Sequence, residues 1–216
     1  MFYHKIDTLF ERDENFKVNV NKVRRPEFDL IKEWYIEEKI DGMSVGFRYY
    51  RDSLYDDGII FGRTGNTNWN ANNRVFMDRQ SKDMHQSATE ILQDYDLEHL
   101  TIYGELYGPG IQNGGSYRDD LGFICFDMTA NDTWLNVKDR NTNAERIGVD
   151  VPYHFKLFSD IDSVARRLAN NTQASPQAKL NGKPERMAEG VIGRPPVNLY
   201  DQRGNRVMWK LKGRDF

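Results

Sequence analysis

Glu38-Lys39-Ile40-Asp41-Gly42 ends a run, Trp34-Tyr35-Ile36-Glu37-Glu38-Lys39, that is rich in aromatic and β-branched residues and reads as a strand. Asp41-Gly42 reads as the turn that closes it. Val45-Gly46-Phe47-Arg48-Tyr49-Tyr50 then alternates as a second strand. Lys39 therefore stands where a strand enters a turn, a position that can present a side chain into a cleft. A free lysine amine is protonated at neutral pH, with a pKa of about 10.4. Nearby cations or burial must lower that value before the amine can act as a nucleophile. Alone, Lys-x-Asp-Gly is equally the pattern of a surface lysine beside a turn.

Working outward, Ile59-Ile60-Phe61-Gly62-Arg63 is another short strand. From Arg74 to Glu98 the chain is polar, with spaced apolar residues Val75, Phe76, Met84, Ala88, Ile91, Leu92 and Tyr95. The second half of that stretch has the spacing of an amphipathic helix. Leu100 to Glu105 and Gly122 to Met128 are strands, the latter strongly apolar, and a glycine-rich loop, Gly108 to Tyr117, joins them. Ser159-Asp160-Ile161-Asp162 resembles a helix start, with the helix running to about Ala169. Asn170 to Met187, with Pro176 and Pro184, reads as a long exposed loop. Gly190 to Arg194 and Arg206 to Lys212 are the last strands. Many strands and few helices predict an α+β domain of mostly antiparallel sheets.

The 216 residues predict a single domain, 1–216, large enough for a substantial core. The lone Cys125 excludes an internal disulfide framework and a cysteine-cluster zinc site; in its apolar run it reads as core. The four histidines are scattered without metal-ligand spacing. No run approaches the length of a membrane span, and Met1-Phe2-Tyr3-His4-Lys5 lacks a signal-peptide core, so a cytoplasmic location is the default. The net charge of −3 does not advertise a polyanion partner. Local basic clusters do exist: Arg203, Arg206, Lys210, Lys212 and Arg214, and Lys22, Arg24 and Arg25. Distribution rather than net charge decides.

Five further segments follow Lys39 in order: Phe61-Gly62-Arg63-Thr64, Tyr103-Gly104-Glu105-Leu106-Tyr107-Gly108, Phe123-Ile124-Cys125-Phe126-Asp127, Glu189-Gly190-Val191-Ile192 and Trp209-Lys210-Leu211-Lys212. That ordered set resembles the covalent nucleotidyltransferases, and most closely the small ATP-dependent RNA ligase family common in phages. Tyr107-Gly108-Pro109-Gly110-Ile111-Gln112 and the ending Lys212-Gly213-Arg214-Asp215-Phe216 resemble that family in particular. The resemblance spans Phe2 to Phe216 and implies an adenylyltransferase domain with an ATP-grasp-like ligase core. It implies a cofactor set of ATP and Mg²⁺ (or Mn²⁺). It also implies an RNA partner, with DNA as a rival, that carries 5′-phosphate and 3′-hydroxyl ends, as in RNA repair. A monomer is expected.

The resemblance further implies that Lys39 attacks the α-phosphorus of ATP to form lysyl–AMP. Lys210, Lys212 and Arg63 would supply positive charge; lysines two apart on a strand share a face. Glu105 would contact the ribose, and Glu189 would position metal and phosphate, the two carboxylates together forming the metal set. Glu38, Asp41 and Gly42 would flank the nucleotide. Phe126 would stack on adenine, with Phe123 as its competitor, and Asp127 follows it in the same motif. Arg63, Gln112 and Asp127 would serve the polynucleotide. Arg118 or Arg12 would bind phosphate, and Trp69 reads as packing. Ser44 stands where DNA ligases and capping enzymes carry arginine, which argues against both. Nick-sealing RNA ligases often carry histidine at the position of Asp41 and asparagine at that of Ser44. No appended C-terminal barrel or helical domain is expected. A non-catalytic nucleotide- or RNA-binding module is the rival of another class.

Overall fold

The computed structural model describes residues 3–52, 58–64, 67, 69–158 and 161–216. Among them the strands are β1 (Asp7–Thr8), β2 (Phe10–Arg12), β3 (Val18–Val23), β4 (Trp34–Lys39), β5 (Met43–Tyr50), β6 (Ile59–Gly62), β7 (His99–Tyr107), β8 (Gly122–Ala130), β9 (Thr133–Trp134), β10 (His154–Phe158), β11 (Gly190–Arg194) and β12 (Trp209–Lys212). The helices are α1 (Pro26–Leu30), α2 (Ala71–Asp94), α3 (Val137–Ile147), α4 (Ile161–Ala169) and α5 (Pro176–Leu180). The fold is α+β with mostly antiparallel sheets, as the sequence leads one to expect. None of these helices is long and apolar enough to cross a membrane.

Two compact units divide the chain. One holds Tyr3, Gly42–Gly115 and Asp119–Val151; the other holds His4–Asp41, Ser116–Arg118 and Pro152–Phe216. The chain passes between them inside the Lys-x-Asp-Gly segment, after Asp41.

The first unit is an antiparallel sheet in the order β6-β5-β7-β8-β9. Met77, Met84, Ala88, Ile91 and Leu92 of α2 pack with Val45, Phe47 and Tyr49 of β5 and Leu100, Ile102 and Leu106 of β7. Cys125 belongs to this core, and Trp69 packs against it. Helix α2 begins earlier than its apolar pattern suggests. Asn70 caps it, its side chain accepting from the Asn73 amide at 2.8 Å. Asn73 and Ser81 lie on the buried stripe, whereas Val75 and Tyr95 are exposed, and this blurs the pattern. Helix α3 is absent from the sequence-based reading. Its signals are terminal: Asn136 accepts from the Asp139 amide, and Gly148 adopts φ 79° just beyond the end. Buried Arg140 and Asn143 hide its periodicity.

The second unit carries the sheet β1-β12-β11-β4-β10, in which only β1 and β12 pair in parallel, and a ribbon, β2-β3. Trp34 and Ile36 of β4, Val191 of β11, and Trp209 and Leu211 of β12 share one face with Leu9, Phe28, Val164 and Leu168. The Trp34 and Trp209 rings meet edge to face at 5.6 Å. Strand alternation then sends Glu37, Lys39, Ile192, Lys210 and Lys212 to the opposite face. The expected helix ending near Ala169 is α4; Ser159 and Asp160 lie outside the described residues. The stretch 170–187 is not the open loop that its polarity suggests. It contains α5, with Ser175, Gln177 and Ala178 buried.

Replacing the α2 cap, Asn70→Ala, is expected to lower folding stability by about 1 kcal/mol. Asn70→Asp, which keeps an acceptor, should stay close to the parent. Denaturant midpoints of the three proteins check this.

Candidate active site

Strand β11 runs between β4 and β12, and its first residue, Gly190, pairs with Lys39 on one side and Lys212 on the other. Neighbouring strands lie about 4.8 Å apart, so the two lysine backbones are about 10 Å from each other. Glu189 fills the gap. Lys39 Nζ donates to Glu189 Oε2 at 2.6 Å, and Lys212 Nζ donates to Glu189 Oε1 at 2.5 Å. Lys39 Nζ also donates to the Ile40 carbonyl at 3.2 Å. The three side chains are 22%, 12% and 11% exposed, so these charge-assisted bonds sit at a partly desolvated surface. Gly190 permits the arrangement: a Cβ there would lie 2.2 Å from the Leu211 carbonyl oxygen. Lys210 lies two residues before Lys212 on the same strand face, at the level of Ile192 and Glu37. Glu37 is buried in an ion pair with Arg194 at 3.0 Å.

Glu189 and Lys212 are held from behind by groups that the sequence-based reading did not assign. The Glu189 amide donates to Tyr117 Oη at 3.3 Å, and its carbonyl accepts from the Gly213 amide at 3.0 Å. Tyr117 is fully buried beneath the Arg186 guanidinium, 5.0 Å from the ring centre, and burial pushes its hydroxyl up to about 12. Asp215, also buried, accepts from the Lys212 amide at 3.0 Å and from Arg12 Nη2 at 2.6 Å. Arg12, a candidate phosphate ligand from sequence, is thus engaged by Asp215. Arg12, Asp215, Lys212, Glu189 and Lys39 form one continuous chain of contacts.

Glu38 is the residue expected to flank the nucleotide. It faces the core side of the sheet and is 1% exposed. Its carboxylate accepts from Ser175 Oγ at 2.5 Å and from the Gln177 amide at 2.9 Å, docking the start of α5 onto β4. Burial raises its pKa to about 7, against the downward pull of Ser175, the Gln177 amide and the Arg186 charge. Ser175-Pro176, a cap followed by proline, was the signal in the sequence for that helix start.

In the first unit Gly42 passes so close to β7 that a Cβ would lie 2.4 Å from the Leu106 carbonyl oxygen and 2.8 Å from Glu105 Cγ. Glu105 is half-buried and pairs across the sheet with Ser44 on one side and Ile124 on the other. Phe126 occupies a bulge, because Tyr103 pairs with Asp127 and the next residue, Gly104, pairs with Cys125. Bulges re-aim side chains. Here the half-buried Phe126 ring meets Tyr3 edge-on at 4.8 Å, and buried Arg140 donates to the Phe126 carbonyl at 2.7 Å. Phe123, the competitor, is a core residue packed on Phe47. Asp127, expected at the polynucleotide, is fully buried and accepts from Tyr3 Oη at 2.8 Å. Arg63 is exposed at the end of β6, and Gln112 is exposed at φ 46° in the glycine-rich loop. Asp41 is half-buried at the chain's passage between the units. No group of three or more His, Cys, Asp or Glu among the described residues could form a metal cage.

Comparison with known families matches residues 32–212, most of the chain, to the family described as RNA ligase. The chain belongs to the RNA ligase family. No curated protein matches this family member in sequence. Among solved structures it is similar to Naegleria gruberi RNA ligase. A variant in its apo form shares 15% identity at a TM-score of 0.61, covering 95% of this chain and 58% of that one. A variant with ATP and Mn shares 18% at 0.59, covering 95% and 55%. The form with PPi shares 16% at 0.57, covering 97% and 61%. The likeness is one of fold, and this RNA ligase family member spans about six-tenths of the Naegleria chains.

The raised pKa of Glu38 fixes the sign of a pH effect. Below its ordinary value of 4.5 the carboxyl is protonated in folded and unfolded chains alike. As pH rises towards about 7 the unfolded chain ionises first, so the native state loses stability. Glu38→Gln should flatten this slope, removing up to about 3 kcal/mol of pH-dependent loss, whatever its effect on absolute stability. Urea midpoints at about pH 5 and about pH 8 read the difference; an unchanged slope would show that Glu38 ionises normally.

Proposed function

We propose that this chain is an ATP-dependent RNA ligase that acts through a covalent lysyl–AMP, with residues 1–216 working as one nucleotidyltransferase domain. The observation that carries this reading is the single carboxylate, Glu189, shared by Lys39 and Lys212. Lys39 Nζ forms a bond to the α-phosphorus of ATP while the bond to the β-phosphate oxygen breaks, and pyrophosphate leaves with the electron pair. Of the two groups bonded to Lys39 Nζ, the Glu189 carboxylate and the Ile40 carbonyl, only the carboxylate can take up the proton that the amine must lose. Lys212 and Lys210, on one strand face, offset the charge that grows on the phosphate. AMP then passes from Lys39 to the RNA 5′-phosphate, and the 3′-hydroxyl displaces it as the phosphodiester forms.

The family resemblance supports Glu105 at the ribose, Phe126 stacked on adenine, Arg63 and Gln112 at the polynucleotide, and Asp41-Gly42 beside the nucleotide. For Glu38 and Asp127 we propose supporting roles, in keeping with their burial: the first anchors α5 and the second anchors Tyr3. One or two carboxylates flanked by lysines suit a metal that brings phosphate and water ligands with it, as Mg²⁺ does. Glu189 would hold Mg²⁺ or Mn²⁺, which when bound neutralises triphosphate charge; Glu105, in the first unit, is the other candidate metal ligand that the resemblance supports.

Intact-protein mass after incubation with ATP and Mg²⁺ tests this reading. A gain of one AMP is expected, and it should be absent in Lys39→Ala. No gain with ATP would leave the chain a binding module and sink the enzyme reading. Asp215→Ala touches neither lysine side chain but removes the support of the Lys212 backbone. It should slow adduct formation about tenfold, a rise of about 1.4 kcal/mol in the barrier. The loss should fall in the rate at saturating ATP more than in the apparent ATP affinity, with Arg12→Ala giving a similar loss and Arg12→Lys partial rescue.

A further inference from the structure

The second unit contains a cavity of about 780 Å³ to which none of the proposed catalytic residues contributes. The N-terminal segment from His4 to Asp7, Arg25 and Glu27, and the turn from Tyr200 to Arg206 line it. Its lining is charged and polar, with Ile6 and Met208 the few apolar members. Pockets for small molecules are mostly apolar, with a few polar groups to orient the ligand. Its arginine, lysine, amide and tyrosine side chains are of the kind that contact nucleic-acid phosphates, and they stand beside three acids, Asp7, Glu27 and Asp201.

The lining divides into a scaffold and a presenting edge. Arg25 bridges the three acids: its guanidinium lies 3.1 Å from Asp201, 3.5 Å from Glu27 and 3.8 Å from Asp7, and Arg24 also pairs with Asp7, at 3.4 Å. Asp201 also builds the turn, accepting from the amides of Arg203 at 2.9 Å and Asn205 at 2.8 Å, while Gly204 takes φ 76°. The turn that carries Arg203 is therefore tied down at its base. Arg203 and Lys5 are both exposed, and neither enters an ion pair among the described residues. Tyr200 is 49% exposed in the same lining. Two available cations with an exposed aromatic ring make a single-strand binding edge, because bases stack and phosphates pair without regard to sequence.

We propose that this cavity binds a single-stranded segment of the substrate RNA, with Arg203 and Lys5 on phosphates and a base stacked on Tyr200. The proposal rests on the RNA ligase reading above. The test uses the full chain without ATP and a short fluorescent single-stranded RNA carrying a 5′-phosphate, with anisotropy measured across a salt series. Lys5→Ala/Arg203→Ala is compared with the parent and with Lys32→Ala/Lys138→Ala, which removes equal charge from exposed sites outside the cavity. Matching thermal midpoints verify that all three proteins are folded.

The cavity variant is expected to bind about tenfold more weakly, and its salt slope should shrink by about 1.4, two phosphate contacts at about 0.7 each. Tyr200→Ala should weaken binding and leave the slope unchanged. An unchanged affinity and slope in the cavity variant overturns the proposal. So does an equal loss in the control variant, which would make the effect one of net charge. A parent chain that takes up AMP but binds no RNA also overturns the cavity while leaving the ligase reading intact. A parent that does neither removes both.

Discussion

One carboxylate between two ammonium groups is the constraint around which the second unit is arranged. Glu189 can reach both Lys39 and Lys212 only because β11 lies between β4 and β12 and starts with a glycine at that level. A side chain at position 190 would collide with the β12 backbone and push the strands apart. The backbone of Glu189 is fixed as firmly as its carboxylate, by Tyr117 through its amide and by Gly213 through its carbonyl. The balance of charge also matters. Two cations on one anion leave a net positive site, which suits a triphosphate better than a neutral pair would. Either oxygen of Glu189 can change partners without leaving a buried charge alone.

Strand alternation divides the labour between consecutive residues. Lys39 emerges on the polar face of its sheet, and Glu38, its neighbour, emerges on the core face. A buried carboxylate is tolerable only with donors, and α5 supplies them through Ser175 and the Gln177 amide. The polar stretch 170–187 is therefore anchored directly behind the strand end that carries Lys39. Arg186, from the end of that stretch, covers Tyr117, which in turn holds Glu189. Displacement of this segment would be felt at Lys39 from two directions.

The strands bearing Lys39, Glu105, Phe126, Lys210 and Lys212 were legible in the sequence because each is apolar or β-branched and bounded by glycine or polar turns. The ordered motifs pointed to the family that the comparison identifies. Other features were hidden for physical reasons. Helix α3 buries Arg140 and Asn143, so its inner face does not look apolar. The segment around α5 is polar because it carries donors for a carboxylate far away in sequence. The place of Glu38 on the core face followed from alternation alone, whereas its expected role beside the nucleotide came from the family resemblance. The bulge that turns Phe126 is a one-residue shift in pairing with β7, and a single strand read in isolation does not reveal its partner's register.

The bond between Lys39 and Glu189 joins positions 150 residues apart, and the strands that carry it come from both ends of the chain. Such non-local pairing raises contact order and slows folding, because long loops must close before any contact rewards them. A one-residue slip of β4 against β11 would turn Lys39 into the core and Trp34, Ile36 and Glu38 out of it, placing an ammonium beside Val191 and Leu211. Misregistered sheets are thereby penalised by the charge of Lys39. Lys39 acts as a proofreading device for its own sheet, and a chain in which it reaches Glu189 has already assembled its strands correctly.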